Sequence, residues 1–270
     1  MLFGLKYIRL LKSCVLAALC ATPCFAHEFW IEPQKFQVET GEAVIADFRN
    51  GQEFEGVSLG WFERRVARSE TRLGEDVQDI VRRSGDRPAI EVSPSQNGLL
   101  RIIHETTLSS LTYQKPEKFQ AFVDHKELDT SALPDPIYPI KEGYRRYAKS
   151  LVALGTGVGV DDYAGLEIEF VALKNPYVDD LSDGLPLQLF YQGSPRAGAQ
   201  VEVFEKSPDG LVTITLLRTD PVGHVLVPVE PGHRYLIDSV VLRRPSAALA
   251  ENLELDWESL WAALTFAVPN

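Results

Sequence analysis

The residues with the clearest potential for chemistry are the tetrapeptide HEFW at 27–30, which follows a predicted export signal. Residues 1–26 combine a basic start, an apolar run at 13–21 and small residues just before position 27, the pattern of a cleavable secretory signal. Cleavage after Ala26 makes His27 the first residue of the mature chain. Its α-amine and its imidazole can then chelate a transition metal together. The sequence therefore predicts a metal ligand at His27, on condition that the signal is removed there.

The rest of such a site is less well defined by the sequence. Nitrogen ligands suit Cu(II) or Ni(II), and thiolates are excluded because all three cysteines lie within residues 1–26. No HxH or HxxxH pair supplies a second ligand locally. A lipid anchor at Cys20 is the alternative to cleavage after Ala26, and simple packing or hydrogen bonding is the alternative role for His27. The candidate metal ligands are His27, His104 and His125, with Glu28, Glu32 and Asp47 as nearby carboxylates and His224 and His233 as turn histidines.

The composition limits the classes of protein to which this chain can belong. A 45% apolar content is enough for a buried core, and 17 prolines with 19 glycines indicate many turns and few long helices. The formal charge of −11 argues against nucleic acid as a partner. No run of eighteen apolar residues follows residue 26, so the mature chain is not expected to span a membrane.

The pattern along the chain predicts short strands separated by turns. Strand-like runs occupy the first half, and a turn-rich series of strands returns after residue 166. Between them, three prolines at 132–140 predict a linker. Apolar residues at helical spacing in 141–152 favour a short amphipathic helix or an extended arm. Residues 256–266 fit either a short helix or a final strand. The first-half runs are 36–48, 57–65, 89–92, 99–105 and 119–123.

Together these patterns predict a mainly β fold of two β-sandwich domains, immunoglobulin-like or transthyretin-like, with a short helical linker. The predicted division is a signal peptide at 1–26, an N-terminal sandwich at 27–130, a proline-rich linker at 131–164 and a C-terminal immunoglobulin-like sandwich at 165–270.

Several motifs in fixed order resemble a bacterial exported family known as a domain of unknown function. Some members of that family are described as periplasmic components of nickel or cobalt ABC-type uptake systems. The resemblance implies a periplasmic protein that binds nickel, cobalt or another divalent transition metal, with a membrane metal transporter as a possible partner. The motifs are HEFWIEP at 27–33, GQEFEG at 51–56, EKF at 117–119, YRRYAKSLV at 144–152, LPLQLFYQG at 185–193, AGAQVEVF at 197–204, TDPVGHVLVPV at 219–229 and DWESLWAALTF at 256–266.

One position departs from the family pattern. Relatives often carry a histidine in the strand that matches Tyr235–Leu242, where this chain has Val241. If that histidine is a ligand in the family, this protein lacks it.

We therefore expect a periplasmic binding protein for a divalent transition metal, an accessory to metal uptake and not an enzyme. No GxSxG, HExxH or phosphate-binding loop is present. The alternative is a non-catalytic module that binds a cell-envelope protein or glycan, since such sandwiches commonly act as scaffolds. A third possibility is a copper-dependent oxidase, because an N-terminal histidine resembles the histidine brace of oxidative polysaccharide enzymes.

Overall fold

The computed structural model describes residues 27–131 and 137–270, and these ranges are mainly β-structure. No helix in them is both long and apolar enough to cross a membrane. In chain order the elements are β1 (Glu28–Pro33), β2 (Gln37–Val38), β3 (Val44–Gln52), β4 (Glu55–Leu59), a 3-10 turn (Glu63–Arg65), β5 (Val66–Leu73), β6 (Asp76–Asp79), β7 (Ile90–Val92), β8 (Gly98–Thr106), β9 (Ser109–Tyr113), α1 (Pro116–His125), β10 (Ile140–Leu154), β11 (Ile168–Ala172), β12 (Leu185–Tyr191), β13 (Ser194–Pro195), β14 (Gln200–Lys206), β15 (Val212–Arg218), β16 (His224–Val227), β17 (Arg234–Arg243), α2 (Ala247–Leu253) and β18 (Trp257–Ala267).

A ten-stranded sheet runs through the middle of the described structure. Its strand order is β15-β14-β17-β18-β10-β8-β5-β6, and β2 and β9 also pair with β10. Strands β10 and β18 are parallel, whereas β17 pairs with β18 in the antiparallel sense. Almost every residue of β18 is buried, so this strand is covered on both faces.

Two smaller sheets cover the two faces of the central sheet. The sheet of β1, β3, β4 and β7 packs Trp30 into a core with Leu100. The sheet of β11, β12, β13 and β16 packs Phe170 into a second core with Leu99. The neighbours Leu99 and Leu100 enter opposite cores because successive side chains of a strand alternate between faces. The predicted β-sandwich packing is thus confirmed, and the two sandwiches share the central sheet as a common layer.

The predicted helical linker is wrong, because residues 141–152 belong to the long strand β10. Apolar residues crowd both faces of a strand buried between two layers, so a helical spacing can be found in such a run by chance. Arg146 and Lys149 carry charges of the kind usually found at the surface, yet they are only 7% and 1% exposed. Of the two alternatives for residues 256–266, the final strand is confirmed, because β18 spans Trp257–Ala267.

The helix that packs on the central sheet lies earlier in the chain. Residues 119–123 were expected to be a strand, but they belong to helix α1. Proline occupies the start of this helix, where its missing N–H costs nothing. Phe119, Phe122 and Val123 are buried at helical spacing and pack on Trp257 and Trp261.

The central sheet takes strands from both predicted domains. Strand β10, which falls within the predicted linker at 131–164, pairs with β8 on one side and β18 on the other. How the chain divides into domains stays a prediction. The predicted signal at 1–26 and residues 132–136 of the proline-rich segment lie outside the described residues.

The motifs HEFW and GQEFEG pack against each other, which holds strand β1 against the hairpin of β3 and β4. The turn between β3 and β4 places Glu53 and Phe54 at φ values of 53° and 58°. Phe54 meets Trp30 edge to face, with ring centres 5.6 Å apart. A Cβ at Gly56 would come within 2.7 Å of the Trp30 ring, so only glycine lets the hairpin close over this tryptophan.

Candidate functional site

His27 lies directly before β1 and is exposed. It lines a cavity of about 430 Å³, whose wall also includes Asn50, Tyr113, Tyr144 and Arg146. A space of this size accommodates a small molecule. The predicted ligand residue is therefore accessible and lines a cavity.

The residue after His27 holds the backbone in place. Glu28 pairs with Gly51 in the ladder between β1 and β3. Asn50 Nδ2 donates a hydrogen bond of 3.1 Å to the Glu28 carbonyl oxygen, and the Glu28 side chain is buried. The ends of folded chains commonly fray unless they are tied down. Here the position next to His27 is tied down.

Three carboxylates meet in the interior, at the residue next to His27. Glu28 of β1, Glu202 of β14 and Asp238 of β17 are buried, and their carboxylate oxygens lie within 4.8 Å of one another. Lys126, the residue after α1, places its Nζ among them. This ammonium lies 3.2 Å from Glu28 Oε1 and 2.9 Å from Asp238 Oδ2, and it also donates to Glu202 Oε2. We call these four residues the buried charge cluster.

Burial and the neighbouring charges shift the pKa values of all four groups in the cluster. Burial raises the pKa of Glu28 from 4.5 to about 7; Lys126 opposes this rise, and Asp238 and Glu202 add to it. Burial also raises the pKa of Asp238. Burial alone would raise the pKa of Glu202, but hydrogen bonds from His125 and Lys126 bring it below its ordinary value. Burial alone would lower the pKa of Lys126, but the three carboxylates raise it, so Lys126 stays charged.

The Lys126 ammonium occupies the position that a metal ion would take among these oxygens. Carboxylates without nitrogen or sulfur ligands suit hard cations such as Ca²⁺ or Mg²⁺ better than nickel or copper. The buried charge cluster is therefore a cation site that the protein fills with its own side chain. The nitrogen chemistry suited to a transition metal remains at His27.

Arg146 of β10 lies between two cavities. It lines the cavity beside His27 and also a second cavity of about 190 Å³. Its guanidinium carbon stands 3.9 Å from the centre of the Trp261 ring and 5.2 Å from that of the Tyr144 ring. Lys126 Nζ lies 5.0 Å from the same tryptophan ring. Trp261 thus contacts a cation from the cluster and a cation from the cavity wall.

His104 of β8 is a buried, neutral histidine. Its ring centre is 4.1 Å from that of Phe48 and 5.7 Å from that of Phe29. Burial lowers its pKa from 6.5 to about 3. The imidazole is therefore uncharged at physiological pH, and its ring neighbours are aromatic. It lines the second cavity.

His125 ends helix α1 and faces the buried charge cluster. Its Nε2 lies 2.8 Å from Glu202 Oε1. Its backbone carbonyl accepts a hydrogen bond of 2.8 Å from Gln200 Nε2. These contacts join the end of the helix to strand β14.

The three predicted histidines do not form one ligand set. Among the described residues, one group of three or more His, Cys, Asp or Glu side chains has its ligand atoms within 4.8 Å of one another. Its members are Glu28, Glu202 and Asp238. His27 and His104 line neighbouring cavities that share part of their walls, and His125 contacts the cluster. The ligand role of each histidine stays a prediction.

The other candidate carboxylates are engaged by an arginine. Arg49 Nε lies 2.8 Å from Glu32 Oε2, and its Nη2 lies 3.5 Å from Asp47 Oδ2.

Val241, the position at which the chain departs from the family pattern, lies on the side of the central sheet away from the cluster. Val241 belongs to the core on one face of the central sheet, whereas Asp238 points to the opposite face with Glu28. A histidine at 241 would therefore face away from His27.

The family model for the Domain of unknown function DUF4198 matches residues 24–242. The chain belongs to this family. No curated protein matches the sequence. Among solved structures, the D0-D1 domain of Intimin is similar at 12% identity and a TM-score of 0.20, over 88% of this chain and 97% of that one. A likeness at that TM-score supports no conclusion about fold or function.

The DUF4198 match contains most of the site and omits one central strand. His27, Lys126, Arg146, Glu202 and Asp238 all fall within it. Strand β18, which supplies Trp261, lies after its end. The motif DWESLWAALTF, on which the resemblance partly rested, is therefore outside the matched range although it forms a buried strand of the central sheet.

Sequence reasoning missed the buried charge cluster, although a signal was present. Glu202 and Asp238 are single acidic residues within apolar strand runs at 199–204 and 235–242. A charge in a buried strand needs a partner, because an unpaired buried charge is costly. Two such acids predict a buried cation, but no local pattern identifies Lys126 as that cation.

Proposed function

We propose that this DUF4198 member is an exported, non-enzymatic binding protein for a divalent transition metal, nickel or cobalt and alternatively copper. The proposed ligands are the α-amine and the imidazole of His27, which become available when residues 1–26 are removed. The proposed location is the periplasm, and a membrane metal transporter is the proposed recipient of the metal.

The observation that carries the proposal is the accessible position of His27 beside a cavity, directly before strand β1. A chelating chain terminus binds more tightly when it does not first have to be ordered. Glu28 supplies that order through the β1 ladder and its contact with Lys126. Amine and imidazole nitrogens suit nickel and copper. They leave further coordination positions open toward the 430 Å³ cavity.

Blocking the α-amine tests the proposal directly. Mature protein that begins at His27 is expected to bind Ni(II), and the same protein with one alanine inserted before His27 is expected to bind it roughly 100-fold or more weakly. The inserted residue turns the amine into an amide, which is a poor ligand, and leaves the imidazole intact. Isothermal titration with Ni(II), Co(II) and Cu(II) gives the affinities.

The matched controls separate the chelating pair from the other histidines. His27→Ala keeps an amine and removes the imidazole, so it should lose affinity as well. His104→Phe and His125→Gln test whether either of those histidines completes the site, and melting curves verify that each variant is folded. Equal Ni(II) affinity with and without the inserted alanine would show that the site is not at the terminus.

A second candidate function is recognition of a cell-envelope protein, and the edge of the central sheet favours it. Strand β15 ends the sheet order and pairs only with β14 among the described strands. Leu211, Ile214 and Leu216 on or beside it are 68%, 44% and 55% exposed. An exposed apolar edge strand can accept a strand from a partner.

An edge substitution tests this second function without metal. In the presence of chelator, wild-type protein should retain an envelope protein that Ile214→Lys fails to retain, since an edge lysine opposes strand addition. Val81→Lys, at an apolar residue that is 84% exposed and lies outside the strands, is the comparison variant and should leave recovery unchanged. Identical recovery by wild type and Ile214→Lys would contradict strand addition at β15. The readout is quantitative mass spectrometry of the retained proteins.

A further inference from the structure

The cavity beside His27 has an unusual charge for this protein. The whole chain has 38 acidic and 27 basic residues. Among the described residues that line the cavity, three are basic and none is acidic: Lys115, Lys118 and Arg146. In a chain with an acidic excess, a cavity wall of this composition creates a local field that attracts anions.

Arg146 provides the geometry of an anion site. It is 7% exposed, and its Nη1 has no hydrogen-bond acceptor among the described residues. Its guanidinium carbon lies 3.9 Å from the centre of the Trp261 ring. Among residues 27–131 and 137–270 it forms no ion pair within 4.0 Å, although the charges of Asp238, Glu142 and Glu28 act on it from farther away. Nη1 can donate a charge-assisted hydrogen bond to a carboxylate or phosphate. Buried charged donors are normally paired, so this one lacks the acceptor that a ligand would supply.

The two lysines add to the same field. Lys115 directly precedes helix α1 and Lys118 lies in its first turn; both are exposed. Basic side chains at a helix N-terminus oppose the helix dipole. No side chain caps this helix, and Glu117 supplies one negative charge in the same first turn. A bound anion would add further negative charge at this helix start while it pairs with Arg146.

The remaining wall favours an organic anion over an inorganic one. Leu111 and the rings of Tyr113 and Tyr144 supply apolar surface, and Asn50 and Thr112 supply polar groups. A volume of about 430 Å³ exceeds what a phosphate or sulfate needs and suits a small molecule. Three basic residues match more than one negative charge.

We propose that this cavity binds a small organic polycarboxylate, with a carboxylate on Arg146 and the remaining charge near Lys115 and Lys118. This inference does not depend on metal binding, because every group it uses is present in metal-free protein. It also has a consequence for the proposed function. The cavity wall offers no carboxylate of its own, so a polycarboxylate held there could supply oxygen ligands to a metal at His27.

Citrate is the probe that tests the pocket. Metal-free mature protein should bind citrate by isothermal titration, and Lys115→Gln/Lys118→Gln should bind it about tenfold or more weakly. These lysines are exposed, so the double variant should fold. Lys35→Gln, an exposed lysine outside the cavity, is the matched control and should leave the affinity unchanged. Arg146→Lys keeps the buried charge but loses the planar fork, and it too should weaken binding.

Three outcomes would overturn the proposal: no binding of citrate, equal binding by the double variant, or inorganic phosphate binding as tightly as citrate. A second arm compares citrate with Ni(II)-citrate on wild type and on His27→Ala. Tighter binding of the chelate that is lost in His27→Ala identifies the chelate as the ligand, and equal binding of both forms identifies the free polycarboxylate. Citrate binding without any Ni(II) binding would leave the pocket standing and remove the proposed metal function.

Discussion

Replacing Lys126 with methionine is expected to lower the free energy of unfolding by about 3–5 kcal/mol. Methionine fills a similar volume, so the loss comes from charge and not from a cavity. The substitution leaves Glu28, Glu202 and Asp238 buried around an apolar side chain, with no ammonium to offset their desolvation. Urea unfolding followed by tryptophan fluorescence measures the change.

The control for this substitution is a lysine with a partner at the surface. Lys35 lies 3.2 Å from Glu42, and the two side chains are 67% and 50% exposed. Lys35→Met should change stability by less than about 1 kcal/mol, because solvent screens such pairs. A Lys126→Met protein as stable as Lys35→Met would show that the cluster is not an electrostatic unit.

Two further measurements distinguish loss of the cation from general misfolding. The deficit of Lys126→Met should be larger at pH 8 than at pH 5, because protonation relieves the uncompensated carboxylates. Adding Glu28→Gln to Lys126→Met should recover part of the loss, since one of the stranded carboxylates is then neutral. Misfolding from a packing defect predicts neither effect.

The turns and the β-sandwich packing could be predicted because their signals are local. Residues Asp220–Gly223 form a tight turn, in which Gly223 N lies 3.0 Å from Asp220 O. Its residue types favour a turn whatever the rest of the chain does. Alternation of apolar and polar residues similarly marks strand β3, whose residues 44–48 alternate between buried and partly exposed.

Strand β10 could not be predicted in the same way, because its environment comes from distant residues. Lys149 looks like a surface residue in the sequence, yet its Nζ lies 3.0 Å from Asp161 Oδ1 and 2.5 Å from Glu169 Oε1. Burial of both faces removes the alternation that identifies a half-exposed strand. The choice between helix and strand then depends on β18, whose sequence lies more than a hundred positions away.

The candidate site likewise has one part that the sequence could predict and one part that it could not. His27 was identifiable because the export signal and the histidine are adjacent in the chain. The buried charge cluster was not, because Lys126 contacts Glu28 and Asp238 across 98 and 112 positions. The fold connects the two features through Glu28, which follows the proposed ligand and contributes a carboxylate to the cluster. A change in the cluster should therefore affect the order of the terminus as well as stability.

The titration of Glu28 makes that connection measurable. Burial raises the folded-state pKa of Glu28 to about 7, above its ordinary value of 4.5. Between these values the folded protein binds more protons at this site than the unfolded chain. The contribution of Glu28 to the free energy of unfolding is therefore greatest at low pH, and it is lost as the pH rises toward and past 7.

Glu28→Gln should remove this pH dependence. Glutamine mimics the protonated side chain at every pH and can still accept a hydrogen bond from Lys126. Relative to the variant, wild type should lose about 2–3 kcal/mol of unfolding free energy between pH 5 and pH 8. Glu39→Gln, at an exposed acidic residue outside the cluster, should follow wild type across that range. Parallel stability curves for wild type and Glu28→Gln would mean that Glu28 titrates normally. In that case the Lys126 ammonium compensates its charge fully, and the cluster holds the terminus equally well at every pH.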